Sequence, residues 1–488
     1  MGKAIMLQGT GSYVGKSVLV TALCRIFAQD GFRVAPFKSQ NMALNTAVTK
    51  NHKEIGRAQY LQAQAAKLEP TVEMNPILLK PCTDADSEVI VAGESVGQMS
   101  AQEYIAYKPQ LLPILQRSLE QLKSTYDIVV IEGAGSPAEV NLRSHDIANM
   151  TVAKLADAPV FLVADIDLGG VFAYVYGTLK LLLPEERARI QGVIVNKFRG
   201  QAERFSEGVG ILEELVGLPV AGVLPFIEDL DLPEEDSIPE RKLTGDGESA
   251  LRIGVIHFHQ ISNFTDFDPL QRTPGVQLNY LKPGENLAGY DLLILPGTQN
   301  PAADLGYLVE TGSVQKIQQA AEQGIPLLAV GGGLQILGQI VSAERALDMQ
   351  FRPDVGARRV AGTIMSSLGL LNGCQGLEIS GYQLESAYPA AQKAWITFDD
   401  GGDEGFVSSD GLVLGTMLHG IFDQQEFRNR FLQNIASFAE QRRQKNLTEP
   451  RFELGYDLDH TLDRLATTVR SNLDLTLLYQ AMDLEKRR

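Results

Sequence analysis

One stretch near the start restricts this chain more than any other: Gln8-Gly9-Thr10-Gly11-Ser12-Tyr13-Val14-Gly15-Lys16-Ser17. It lies between the apolar run Ala4–Leu7 and a helical run from Val18. A strand, a glycine-rich turn and a helix in that order form a nest of backbone N–H groups at a helix N-terminus, which binds phosphate. Gly9, Thr10, Gly11 and Gly15 then supply the turn and its amides, Lys16 reaches the β- and γ-phosphates, and Ser17 coordinates Mg²⁺. Five residues, not the usual four, separate Gly9 from Gly15. Glycine-rich turns also occur without nucleotide, but Gly-Lys-Ser between strand and helix favours a nucleotide site.

Such a loop needs a parallel α/β sheet beneath it, and the surrounding text supplies one. Apolar runs at Ala4–Leu7, Arg33–Pro36, Asp127–Glu132, Val160–Asp165 and Gly192–Asn196 alternate with helical stretches. A second series follows at Arg252–His257, Asp291–Leu295, Pro326–Val330 and Leu412–Met417. At 488 residues two or three domains are expected. We divide the chain into a phosphate-loop domain (1–226), an acidic, polar linker (227–250), a second α/β domain (251–445) and a helical C-terminal extension (446–488).

Ligands of parallel sheets bind beyond the carboxyl ends of the strands. Lys38 lies there, followed by Ser39-Gln40-Asn41-Met42. Glu132 ends the run Ile128-Val129-Val130-Ile131, and Asp165 and Asp167 end the next. Glu132 and Asp165 are candidate Mg²⁺ ligands beside Ser17; for any one acid, helix capping is the competing role. A net charge of −17 opposes a nucleic-acid surface. Cys24, Cys82 and Cys374 have no paired or metal-type spacing, which fits a reducing compartment. No run of eighteen apolar residues and no signal-peptide pattern is present, so a cytoplasmic, non-membrane protein is expected. His257 and His259 share one side of a strand without a third ligand, and are read as core or surface residues.

The longer phosphate loop is similar to that of dethiobiotin-synthetase-like ligases. Over nearly its whole length the chain resembles the cobyric acid synthase family of cobalamin biosynthesis. The resemblance rests on Lys38-Ser39-Gln40-Asn41-Met42, Glu132-Gly133-Ala134-Gly135-Ser136-Pro137-Ala138-Glu139-Val140-Asn141-Leu142, Asp146-Ile147-Ala148-Asn149-Met150, Asp165 to Phe172 and Asn196-Lys197-Phe198-Arg199-Gly200. Ile261-Ser262-Asn263-Phe264-Thr265-Asp266-Phe267-Asp268 and Leu295-Pro296-Gly297-Thr298 extend it into the second domain. It implies an ATP-dependent synthetase fused to a class I glutamine-amidotransferase-like domain. The reaction implied is amidation of the b, d, e and g carboxylates of adenosylcobyrinic acid a,c-diamide, with ATP and Mg²⁺ required and glutamine as nitrogen source. Lys16 and Lys38 would stabilise the transferring phosphoryl group, Asn196 would lie near the adenine, and Ser136–Leu142 would touch the corrin.

At one point the chain departs from that pattern. The amidotransferase nucleophile is a cysteine on a tight strand-to-helix turn, activated by a histidine. The equivalent stretch here is Leu327-Leu328-Ala329-Val330-Gly331-Gly332-Gly333-Leu334-Gln335, with Gly331 in the nucleophile position. The histidine is present as His419. The family's Gly-Tyr-Glu-Ile-His segment reads Gly381-Tyr382-Gln383-Leu384-Glu385, and Cys374 is read as an ordinary unreactive thiol. The expectation is a synthetase that takes free ammonia, or ammonia from a separate glutaminase. A related ligase for another polycarboxylate and a non-catalytic ATP-binding regulator stand as alternatives.

Overall fold

The computed structural model describes residues 1–82, 86–227, 232, 251–340, 349–351, 356–384, 387–389, 394–443 and 457–485. Most of the expected linker (227–250), the boundary expected at 445–446, and Glu385 lie outside the described residues. The chain divides into two compact units: Met1–Ala43 with Ile55–Leu232 and Asp457–Arg488, and Leu44–Glu54 with Pro233–Tyr456.

The first unit is built on strands β1 (Lys3–Gly9), β2 (Val34–Phe37), β3 (Ile128–Glu132), β4 (Val160–Asp165), β5 (Ile190–Phe198) and β6 (Val220–Pro225). Their order is β6-β5-β4-β1-β3-β2, and every neighbouring pair is parallel. The strands are near-continuous apolar runs because helices cover both faces of such a sheet. Register decides which residues meet at the carboxyl edge. Leu7 pairs with Glu132, Gly9 with Val163, Phe37 with Ile131, and Asp165 with Asn196. Lys38, Glu132, Asp165, Asn196 and the loop after Gly9 therefore lie along one edge.

Helix Lys16–Gln29 leaves that edge and is buried along most of its length. One side packs on the sheet and another on helix Leu458–Asn472, whose Leu462, Leu465, Ala466 and Val469 recur at the i, i+3, i+4, i+7 spacing of a single face. Each buried leucine there contributes ~1.5–3 kcal/mol. The buried guanidinium of Arg25 adds ion pairs to Asp459 (2.9 Å) and Asp463 (2.7 Å). The C-terminal helices thus belong to the core of the phosphate-loop unit.

The second unit carries β7 (Leu251–Ile256), β8 (Val276–Leu281), β9 (Leu292–Leu295), β10 (Leu327–Val330), β11 (Phe406–Val407) and β12 (Val413–Thr416), in the order β8-β7-β9-β10-β12-β11. Only the β11–β12 pair is antiparallel. Val330 pairs with Thr416, which brings the ends of β10 and β12 together. Two smaller sheets were not anticipated: a mixed one in which Gln40–Met42 runs parallel to Ile77–Pro81 and is continued by Asp86–Val91 and Glu94–Ser100, and an antiparallel one of Glu378–Gln383, Arg358–Ile364, Ile396–Phe398 and Asp403–Glu404. No helix among the described residues is long and apolar enough to cross a membrane.

Candidate active sites

In the phosphate loop, Gly15 has φ +94°, and a Cβ there would fall 2.2 Å from Asn196 Nδ2. Glycine is what lets Asn196 approach. Its Nδ2 donates to Val14 O at 2.8 Å. Next along β5, Lys197 Nζ donates to Tyr13 O (2.6 Å) and pairs with Asp165 Oδ2 (2.8 Å). Tyr13 and Lys197 both hold the left-handed conformation, at φ 59° and 62°, a local strain that recurs where a loop is held for a ligand. The Thr10 amide is bonded to Val163 O at 2.9 Å and belongs to the sheet end.

Three elements converge on Glu132, which is 1% exposed. Ser17 Oγ donates to Glu132 Oε1 (2.8 Å), Gln62 Nε2 to Oε2 (2.7 Å), and Lys38 Nζ pairs with Oε1 (2.9 Å). Burial pushes the Glu132 carboxyl up, but the Lys38 ammonium and the hydrogen bonds from Lys38, Gln62 and Ser17 outweigh it and hold the group below its ordinary range. Lys16 Nζ donates to Gly11 O (2.9 Å) and Gly135 O (3.1 Å), spanning from its own loop to the one after β3. Asp165 has both oxygens engaged, since Oδ1 accepts the Asp167 amide at 2.8 Å. The Lys197 ammonium would compete with a metal ion for this carboxylate.

The structure therefore brings Lys16, Ser17, Lys38 and Glu132 together, and ties Asp165 and Asn196 to the loop through Lys197 and Val14. Gln62 sits on helix Arg57–Ala65 and escaped the sequence reading, because nothing in its local pattern distinguishes it from a surface glutamine. Asp146 accepts the amides of Ala148, Asn149 and Thr151, so its role is local capping. In the Ser136–Leu142 block, Val140 and Leu142 are exposed.

In the second unit, Gly331 occupies the turn between β10 and helix Gly332–Ile340, at φ +53°. Its amide donates to Thr416 O at 2.9 Å. A Cβ on Gly331 would point at the His419 ring, 2.9 Å from Cε1 and 3.0 Å from Nε2. The next two glycines differ in kind. A Cβ on Gly332 would strike Thr298 O at 2.7 Å, and one on Gly333 would strike Leu295 O at 2.2 Å. Backbone carbonyls exclude a side chain at Gly332 and Gly333; at Gly331 the near neighbour is the side-chain ring of His419, and either that ring or the elbow would have to shift.

His419 is buried and well held. Its Nδ1 lies 2.7 Å from Asp266 Oδ2, while Asp266 Oδ1 accepts the Gly420 amide at 3.0 Å. The Tyr382 ring stacks on the imidazole with centroids 5.4 Å apart, and Tyr382 OH donates to Thr46 O at 2.9 Å. Thr46 N in turn donates to Asn263 Oδ1 at 3.0 Å. Neither Asp266 nor Tyr382 was assigned a role from sequence. The signal was the run Ser262–Asp268, where Ser262, Asn263, Thr265, Asp266 and Asp268 are buried between phenylalanines, and buried polar groups need partners.

The three cysteines supply no substitute nucleophile. All are buried, and burial pushes the Cys374 thiol up to about 11 despite the opposing charge of Arg430. Burial also raises Cys24 and Cys82, leaving little thiolate near neutrality. Among the described residues no group of three His, Cys, Asp or Glu side chains forms a metal cluster.

Comparison with known proteins accounts for both halves. Residues 5–239 match the CobQ/CobB/MinD/ParA nucleotide binding domain, and residues 252–427 match the CobB/CobQ-like glutamine amidotransferase domain. The chain is 46% identical to a cobyric acid synthase of Pelotomaculum thermopropionicum, over 99% of this chain and 97% of that one. It is 42% identical to one of Klebsiella pneumoniae (99% and 98%) and 41% identical to one of Streptococcus sanguinis (100% and 100%).

Proposed function

The chain belongs to the cobyric acid synthase family, and on that premise we propose that it is an ATP-dependent ligase converting corrin carboxylates to amides in cobalamin biosynthesis. The substrate is adenosylcobyrinic acid a,c-diamide, amidated at its b, d, e and g side chains to adenosylcobyric acid. The nitrogen enters as ammonia, free or from a separate glutaminase. What supports this donor is one observation: the Cα–Cβ direction of Gly331 points at His419 Nε2, and no side chain is there to use it.

A carboxylate is a poor electrophile and is activated by attacking the γ-phosphate of ATP to give an acyl phosphate, which ammonia then displaces. Such phosphoryl transfer needs positioning and charge stabilisation more than covalent help. Lys16, now on two carbonyl oxygens, is the group that moves to the β- and γ-phosphates. Lys38 sits beside Glu132 as the second cation. Gln62 and Ser17 keep the Glu132 carboxylate fixed. The donor set fits Mg²⁺, because Ser17 Oγ and Glu132 Oε1 lie 2.8 Å apart as two hard oxygen ligands on one side of the loop. When bound, that ion would neutralise phosphate charge. Asn196 and Lys197 hold the loop, and Asn196 is the residue we place nearest the adenine.

The test is corrin amidation with ATP and Mg²⁺, with glutamine or ammonium in separate reactions. We expect product with ammonium and none with glutamine. Efficient use of glutamine by the purified chain would remove the donor assignment, and ATP binding without turnover under either condition would favour a regulator.

A further inference from the structure

The second unit holds an acid, an imidazole and an elbow, but each comes from a different part of the chain. Asp266 belongs to the short helix Phe264–Phe267, His419 follows β12, and Gly331 follows β10. Asp266 is 5% exposed and uses both oxygens on one target, with Oδ2 on the His419 ring at Nδ1 and Oδ1 on the next amide, Gly420. A carboxylate bonded both to a ring and to the backbone carrying it fixes where that ring points. It also selects the tautomer: Nδ1–H donates to Asp266, leaving the Nε2 lone pair directed at the elbow. Tyr382 stacks on the imidazole and is tied by its hydroxyl to Thr46, so the ring is restrained from that side as well.

We propose that Asp266 is the positioning residue of a Cys-His-Asp hydrolase site in the second unit, and that Gly331→Cys alone gives the chain glutaminase activity. The proposal rests on the reading of Gly331 as a vacated nucleophile position. Geometry favours it, because Gly331 already has the left-handed backbone of a nucleophile elbow. The atoms nearest to a Cβ there are His419 Cε1 and Nε2, at 2.9 and 3.0 Å, and then Gly297 Cα at 3.6 Å, so the side chain would be brought against the imidazole with a small shift of one or the other. In the restored site His419 Nε2 takes the thiol proton while sulfur bonds to the side-chain amide carbon of glutamine. The carbon–nitrogen bond breaks and the same proton leaves with ammonia. Water, deprotonated by His419, then attacks the thioester; glutamate departs and the thiolate recovers its proton.

The experiment uses the full-length chain as Gly331→Cys, alone and combined with Asp266→Asn or Asp266→Glu. Two quantities are read across pH: glutamate release from glutamine, and alkylation of the introduced thiol by iodoacetamide, followed by peptide mass spectrometry. The single variant is expected to hydrolyse glutamine and to alkylate at a pH well below that of an ordinary thiol, whose pKa is about 8.5. Adding Asp266→Asn moves the alkylation profile upward and lowers hydrolysis by roughly 10²–10⁴-fold, and Asp266→Glu recovers part of both. An unchanged profile in the Asp266→Asn combination, or an ordinary thiol profile in a folded single variant, overturns the proposal. Should the cysteine variant not fold, the unmodified chain answers by NMR. A far-downfield imidazole proton, lost in His419→Asn and in Asp266→Asn, is expected, and its absence overturns the assignment. The donor assay on the unmodified chain stays separate, so failure of the ammonia reading is not confused with failure of this one.

Discussion

Glycine is read differently in the phosphate loop and in the elbow of the second unit. A Cβ on Gly15 would lie 2.2 Å from Asn196 Nδ2, and one on Gly9 would lie 2.7 Å from Gly11 O. Those glycines are needed for the loop to close. A Cβ on Gly331 meets a ring at 2.9 and 3.0 Å, while its neighbour Gly333 meets the Leu295 carbonyl at 2.2 Å. At Gly333 a side chain would collide with fixed backbone, whereas at Gly331 it would face the imidazole that a nucleophile there would use. The charged groups show the same contrast. Glu132 is met by Ser17, Gln62 and Lys38, whereas the Asp266–His419 pair faces Gly331, which has no side chain.

The largest expected effect tests the completeness of the first site. Lys16→Met should lower ammonium-dependent amidation by roughly 10²–10³-fold, as removal of one preorganised electrostatic group does, measured as kcat with saturating ATP. Next, Lys38→Met leaves Glu132 buried without its cation and should cost about 3–5 kcal/mol in denaturant unfolding. Because the folded Glu132 carboxyl is held below its ordinary value of 4.5, its stabilisation is present above that pH and is lost as pH falls through the lower folded value. Lys38→Met should flatten that acid limb.

Glu404 in the second unit has the opposite sign. It is fully buried and accepts from Thr416 Oγ (2.8 Å) and Met417 N (2.7 Å), at the stretch leading into His419. Burial raises it from 4.5 to about 7, against those hydrogen bonds. Between the two values the folded chain keeps a proton that the unfolded chain has released, so stability falls by ~3 kcal/mol as pH rises and then levels off. Glu404→Gln should abolish that slope in pH-dependent unfolding curves. The smallest effects compare the elbow glycines. Gly333→Ala should destabilise by about 2–3 kcal/mol through the clash with Leu295 O. Gly331→Ala should cost only ~1–2 kcal/mol for a side chain at positive φ. Equal losses would contradict the distinction drawn between them.

Most of the first site was legible because its residues sit at strand ends, where alternating apolar runs and a glycine-rich turn announce themselves. Lys16, Ser17, Lys38 and Glu132 were all located that way, and β-register then explains their meeting. Gln62 was not legible, since a buried glutamine on a polar-looking helix has no local signature. In the second unit Gly331 and His419 were found through the family resemblance, as the positions of the nucleophile and its histidine. The ring's partner was not legible, because Asp266 lies 153 positions from His419 and only tertiary packing unites them. The packing of helix Leu458–Asn472 on helix Lys16–Gln29 was hidden for the same reason: an amphipathic face does not name the surface it covers.

Isotope competition tests most directly whether a working ligase is combined in this chain with a glutaminase-like domain that lacks its nucleophile. Purified chain, ATP, Mg²⁺ and corrin substrate are supplied with glutamine labelled with ¹⁵N at the amide, together with unlabelled ammonium, and the product amides are read by mass spectrometry. Unlabelled product is the predicted result. Product carrying ¹⁵N beyond the label released in an enzyme-free control would contradict it.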